Sequence, residues 1–279
     1  MTRRTLRIGI LNLMPKAESY EPYLLQPVRR SVLPVEPVLL RLTTHSYSSS
    51  DPDYITERYE TIDRALQHAP LDGLIVSGAP VEELPFEQVS YWPELRELLL
   101  RARYEVKGTL GLCWGGLALA SLLGLEKQRY PLKLFGVFHN RNLALDGPFL
   151  SDADDSFACA HSRHTGISDD AFVEAQDRGA VRLLAYGRET GYSIFESPDH
   201  RYLIHLGHPE YESARLVYEW KRDREARTDV LPPVNVDLGA PLTTWRGHRY
   251  ALFDTWLRFI ANSVSDTSSS GVQSIERSA

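Results

Sequence analysis

The sequence predicts an α/β fold, a mostly parallel sheet with helices on both faces. Three observations carry this expectation. Short apolar runs alternate with helix-period segments over the first half of the chain, the order that builds a parallel sheet. One run, Gly73-Leu74-Ile75-Val76, is apolar throughout, as a strand buried on both faces must be. Another ends in a Gly-x-Cys-x-Gly turn that leads straight into a helical pattern.

Residues 6–13 read as the first strand. Arg3 and Arg4 before this apolar stretch superficially resemble a secretory signal. Arg7, Gly9 and Asn12 interrupt it, however, Pro15-Lys16-Ala17-Glu18 follows at once, and the usual small-residue cleavage site is missing. A helix is expected over 21–32, interrupted by Pro22 and Pro27. A second strand, 35–42, carries Pro37 and is therefore placed at a sheet edge. A polar loop precedes a helix over 54–68, and a buried strand follows over 71–77. The segment 93–103 is an amphipathic helix with Leu95, Leu98 and Leu99 on one face. Strand 109–112 gives way to helix 115–123, stopped by Gly124. Residues 133–160 read as shorter strands and turns, a small inserted antiparallel section. Strands follow over 181–186, 192–196 and 202–206, then helices over 212–227 and 252–261. The domain expected is 1–262, and the serine-rich 263–279 reads as a disordered tail.

Composition removes several classes. The 279 residues are 43% hydrophobic and 24% charged, enough for a sizeable core without disulfides or metal. A net charge of −6 argues against a phosphate-backbone binder, so no nucleic-acid partner is expected. No apolar run approaches the roughly 18 residues of a membrane span, so no membrane partner is expected either. Two cysteines, Cys113 and Cys159, cannot make a disulfide framework, and a reducing cytoplasm fits best.

The sharpest local signal is Gly111-Leu112-Cys113-Trp114-Gly115, at a strand-to-helix junction. That spacing is a nucleophile elbow: flanking glycines allow a tight turn that lifts the central side chain out of the sheet edge. Cys113 then sits at a helix N-terminus, where the helix dipole favours a thiolate, and the Trp114 N–H is free to donate to an oxyanion. The plain alternative is a buried cysteine acting as a small hydrophobe, which is the reading given to Cys159. A cysteine nucleophile wants a base and a group that holds the base. His208-Pro209-Glu210 follows a strand end, the side of an open α/β sheet where ligands bind. His208 would be the base and Glu210 its orienting acid, although alone the tripeptide could equally be a solvated turn. His161-x-x-His164 and His205-x-x-His208 resemble metal half-sites. His205 lies on a strand, where residues three apart face opposite ways, and nothing completes a site, so no metal is expected.

Taken together, further segments resemble a known family. They are Gly9-Ile10-Leu11-Asn12-Leu13-Met14-Pro15-Lys16, Ser77-Gly78-Ala79-Pro80-Val81-Glu82, Leu84-Pro85-Phe86, Tyr91-Trp92, Cys113-Trp114-Gly115, Lys133-Leu134-Phe135-Gly136-Val137, His161-Ser162-Arg163-His164, Gly207-His208-Pro209-Glu210-Tyr211, Arg222-Asp223 and Thr244-Trp245-Arg246. In this order they resemble the homoserine O-acyltransferases of methionine biosynthesis, built on a class I glutamine amidotransferase-like fold. The resemblance implies that Cys113 takes the acyl group as a thioester, that His208 is the general base and that Glu210 is its partner. It implies substrate contacts for Lys133 and Ser162, a carboxylate-binding role for Arg222 and an amino-group contact for Glu219. It also ties acyl-donor choice to the position of Glu82, where glutamate goes with acetyl-CoA. Electrostatics agrees, since a carboxylate there would repel the free carboxylate of a succinyl group. The chain departs from the family at Gly116-Leu117-Ala118-Leu119 and at Pro22 and Pro27.

The expected reaction is a ping-pong transfer of acetyl from acetyl-CoA to L-homoserine, with an oxyanion held by Trp114 and the Gly78-Ala79 loop. No permanently bound cofactor is implied, acetyl-CoA is a co-substrate, and a homodimer is the assembly expected. Succinyl-CoA as donor, or L-serine as acceptor, would use the same chemistry. A glutamine amidotransferase-like hydrolase and a non-catalytic binding module are the readings from other classes.

Overall fold

A computed structural model describes residues 4–226 and 230–272. One nine-stranded sheet organises them, in the order β2-β1-β3-β4-β9-β8-β7-β5-β6. Strands β1 (Leu6–Leu11), β2 (Val35–Leu40), β3 (Gly73–Val76), β4 (Gly108–Leu112) and β9 (Tyr202–His205) form its parallel half. The antiparallel half is β8 (Gly191–Glu196), β7 (Arg182–Gly187), β5 (Gln128–Asn142) and β6 (Ser156–Gly166). The antiparallel section is thus larger than expected over 133–160, and it continues the main sheet. Its two long strands are set by non-local pairing, which short-range patterning cannot register. β2 is an edge strand, as Pro37 demands: it pairs with β1 and leaves the proline no ladder bond to spoil on the outer side.

Both faces of the parallel half are covered. Ile8, Ile10, Leu110 and Leu112 pack with one apolar cluster, built from α1 (Ala17–Arg29), α7 (Ser213–Ala226) and α8 (Arg246–Val272). Leu11, Leu74, Val76 and Ile204 pack with another, built from α3 (Ile62–His68), α4 (Trp92–Glu105), α5 (Trp114–Leu122) and α6 (Asp169–Asp177). A short α2 (Pro52–Arg58) precedes α3, so the helix expected over 54–68 is two helices broken at Tyr59–Thr61, where Thr61 caps the second.

Two further expectations are corrected. α1 runs through Pro22 and Pro27 without interruption, because burial of Tyr20, Leu24, Leu25 and Val28 holds it despite the missing N–H groups. The last helix begins at Arg246 and continues to Val272, so the tail expected from 263 is helical that far, and 273–279 lie outside the described residues. Ser263 and Ser265 donate back to the carbonyls of Phe259 and Ala261, which keeps polar side chains compatible with the helix. No helix among the described residues is long and apolar enough to cross a membrane.

Candidate active site

The parallel strands end on one side, and the chemistry-bearing side chains collect there. β4 delivers Cys113 and α5 starts immediately after it. Cys113 has φ 49° and ψ −112°, a strained backbone for a non-glycine residue. Its N–H donates to the His205 carbonyl at 2.8 Å, and its carbonyl accepts from Leu117 N–H at 3.0 Å. The glycines are required by contact. A Cβ on Gly115 would lie 2.6 Å from the carbonyl oxygens of both Ser77 and Val76, and one on Gly111 would lie 2.8 Å from the Gly115 oxygen. The elbow is therefore wedged against the end of β3. As first residue of α5, Trp114 has an N–H with no intrahelical acceptor.

His208 follows β9 by three residues and its backbone N–H is pinned to the Ala160 carbonyl at 2.8 Å. Its ring stacks on Tyr211 at 3.9 Å and donates from Nδ1 to Glu210 Oε1 at 2.7 Å. Burial disfavours the imidazolium, yet the adjacent Cys113 and Glu210, both hydrogen-bonded to the ring, outweigh it and hold the histidine well above its usual range. Gly78 closes the gap: a Cβ there would sit 3.4 Å from both Cys113 Cβ and His208 Cε1. Cys113, His208, Glu210, Gly78 and Trp114 are thus brought together; Ala79, beside Gly78, is buried.

Glu82 does not point to bulk water. Its carboxylate accepts from the His164 N–H at 2.9 Å and contacts the Thr165 hydroxyl at 3.4 Å. Burial raises its carboxyl above the ordinary value against the pull of His164, Lys133 and His208. A cavity of about 540 Å³ opens beside it, with Phe86, Lys127 and Thr165 in its wall.

The residues expected to contact the acceptor divide. Glu219 is buried and accepts from the Tyr211 hydroxyl at 2.8 Å and Arg215 Nε at 3.1 Å. Burial pushes its carboxyl up, but Arg215, His208, Lys133 and a hydrogen bond from Ser162 together hold it below the usual range. Lys133 reaches Asp223 Oδ2 at 2.8 Å, and Arg222 binds the other oxygen of that carboxylate at 2.6 Å. Arg222 itself is 46% exposed. Tyr20 and Arg215 escaped the sequence reading. Tyr20 bonds Glu210 at 2.5 Å, and Arg215 lies over the rings of Tyr20 and Tyr211. The i, i+4 spacing of Arg215 and Glu219 was the one local signal for the second.

Cys159, His205 and His248 also converge, buried, with Sγ to Nε2 at 3.7 Å and Nε2 to Nε2 at 3.1 Å. They fit a hydrogen-bond chain better than a metal centre. His205 Nδ1 accepts from the Gly207 N–H at 2.9 Å, so in the neutral ring Nε2 carries the proton and donates to His248. A metal-binding histidine would instead offer that Nε2 lone pair and donate from Nδ1, and His248 Nδ1 has no partner among the described residues. His161 is separate from His164 in surroundings: it is buried, and burial beside Arg163 keeps it neutral.

Comparison with known proteins fits this geometry. A family model described as homoserine O-succinyltransferase matches residues 2–266. A homoserine O-acetyltransferase from Petrotoga mobilis is 36% identical over 92% of this chain and 84% of its own length. One from Lachnoclostridium phytofermentans is 34% identical over 94% of this chain and 88% of its own length. Among solved structures, a glutamine amidotransferase from Thermotoga maritima has a TM-score of 0.53 at 13% identity, covering 92% of this chain and 97% of its own. The glutaminase domain of Trypanosoma brucei CTPS has a TM-score of 0.55 at 11% identity, covering 92% and 94%. These structural likenesses concern the fold, which is class I glutamine amidotransferase-like. The sequence matches span nearly the whole chain, and on them the chain belongs to the homoserine O-acyltransferase family.

Proposed function

We propose that this chain transfers an acetyl group from acetyl-CoA to the hydroxyl of L-homoserine through a thioester on Cys113. The observation that carries the choice of acetyl is Glu82, half-buried, bonded to the His164 N–H and within the electrostatic reach of His208 and Lys133. A succinyl group would bring a second carboxylate into that space, and an acetyl group brings none.

In the first step the Cys113 thiolate attacks the thioester carbonyl. The developing oxyanion is held by the Trp114 N–H and by the Gly78-Ala79 segment beside it. The bond to the CoA sulfur breaks, His208 supplies the proton, and CoA leaves as the thiol. The first influence that lifts His208 is the neighbouring Cys113, so acylation of the sulfur removes it. The same imidazole therefore changes from proton donor to base when the thioester forms. Homoserine then enters, with its carboxylate taken by Arg222 and its ammonium by Glu219, beside Lys133 and Ser162. His208 accepts the hydroxyl proton as oxygen attacks the thioester, and Cys113 is released. Glu210 stabilises the imidazolium at both stages.

The test is to incubate the protein with acetyl-CoA and, separately, with succinyl-CoA, and to measure intact and peptide mass. An acetyl adduct on the Cys113 peptide, discharged by homoserine, is expected. A succinyl adduct would overturn the reading of Glu82. Discharge by serine and not by homoserine would replace the acceptor. No adduct from either donor, with ammonia released from glutamine, would replace the reaction.

A further inference from the structure

Glu210 meets His208 with one oxygen, and a third side chain shares that oxygen. The Tyr20 hydroxyl donates to Oε1 at 2.5 Å, and His208 Nδ1 donates to it at 2.7 Å. Oε2 is buried with no hydrogen-bond partner among the described residues. Tyr20 comes from α1, is fully buried, and meets Tyr211 edge-on at 6.1 Å. The Arg215 guanidinium lies 5.4 Å from its ring centre. A carboxylate buried with one bare oxygen is poorly solvated, and a short O–H···O contact of the charge-assisted kind is the compensation available to it.

We propose that Tyr20 is a positioning residue of this site, whose hydroxyl fixes the Glu210 carboxylate against His208 Nδ1 so that the other ring nitrogen faces Cys113. The inference rests on the proposed role of His208. Burial, then the charge of Glu210, keeps the Tyr20 hydroxyl protonated far into the alkaline range, so it remains a donor. The groups that face this pair are Cys159 from β6, His208 and Tyr211 from the turn after β9, and Arg215 from α7; Cys113 and Glu219 face His208 and Tyr211 in turn. Of these, His208 is the one that donates to Glu210 alongside Tyr20.

Tyr20→Phe keeps the buried ring and removes only the hydroxyl. Three readouts are needed: the His208 titration by NMR, kcat and KM for homoserine, and the same substitution in a Glu210→Gln background. The expected result is a His208 titration displaced by about one pH unit and a kcat reduced about tenfold with KM unchanged. In the Glu210→Gln background, where the charge is already gone, both effects should shrink severalfold. An unchanged titration in a folded Tyr20→Phe protein would overturn the proposal, as would an equal loss of kcat in both backgrounds. The NMR titration needs no turnover, so it reads Tyr20 even where the acyl-transfer reading has failed.

Discussion

Replacing Gly115 by alanine probes the link between packing and chemistry most directly. The added Cβ would fall 2.6 Å from two backbone oxygens, those of Ser77 and Val76, where ordinary contact begins at 3.4 Å. Neither atom belongs to a flexible side chain, and Val76 ends β3, which is hydrogen-bonded on both sides by β1 and β4. The start of α5 and the end of β3 must therefore separate by about 0.8 Å, the difference of those two distances. Overpacking of this kind costs about 1–3 kcal/mol, and alanine returns up to about 1 kcal/mol through helix propensity. With two backbone oxygens at 2.6 Å the cost falls at the upper end of that range, and the net loss should be about 2 kcal/mol. The same shift moves Cys113 relative to Gly78 and His208, and a misplacement near 1 Å costs about 10²-fold in rate. Urea unfolding followed by tryptophan fluorescence gives the first number, and the rate of adduct formation on Cys113 gives the second. Gly247→Ala is the control, because its Cβ meets nothing within 4 Å and should leave both near the parent values or add a few tenths of a kcal/mol. A Gly115→Ala protein as stable and as fast as the parent would refute the argument that the elbow is held by this contact.

Three more outcomes are expected. Cys113→Ala should abolish adduct formation from either acyl-CoA while unfolding at nearly the same urea concentration, measured by mass and fluorescence. Glu82→Gln keeps an oxygen for the His164 N–H and removes the charge; it should relax discrimination against succinyl-CoA by about 10²-fold, from a repulsion of about 3 kcal/mol at 6 Å and an effective dielectric near 20. Because burial raises the Glu82 carboxyl, the parent should lose the same discrimination as pH falls through that raised value, since the protonated acid no longer repels, and competition assays across mildly acidic pH check this. Arg215→Met should cost about 3 kcal/mol by stranding buried Glu219; with Arg215 gone, burial raises that carboxyl, so the variant protonates it at a higher pH than the parent does and the difference, full at neutral pH, shrinks as pH falls through that raised value, which urea midpoints at several pH values will show.

Features governed by neighbours in the chain were legible without the structure. The elbow is one: the strand, turn and helix that force Gly111 and Gly115 to be small are consecutive, so the spacing alone reports the turn. Pro37 at the edge is another, since a missing N–H is a property of one residue. The His208-Glu210 pair is a third, because a single residue, Pro209, separates donor from acceptor along one turn. Local sequence thus carried the α/β class, the turn that holds Cys113 and the family. Tertiary packing decided the rest. β5 and β6 became long strands of the main sheet because they pair with each other across a loop and β5 also pairs with β7. α1 crosses two prolines because burial against α8 and the sheet outweighs its lost hydrogen bonds. Glu82 faces inward because β6 supplies the His164 N–H from 82 residues away. Tyr20 meets Glu210 across 190 residues. Such contacts are set by which surfaces the sheet brings together, and no local period or motif records them.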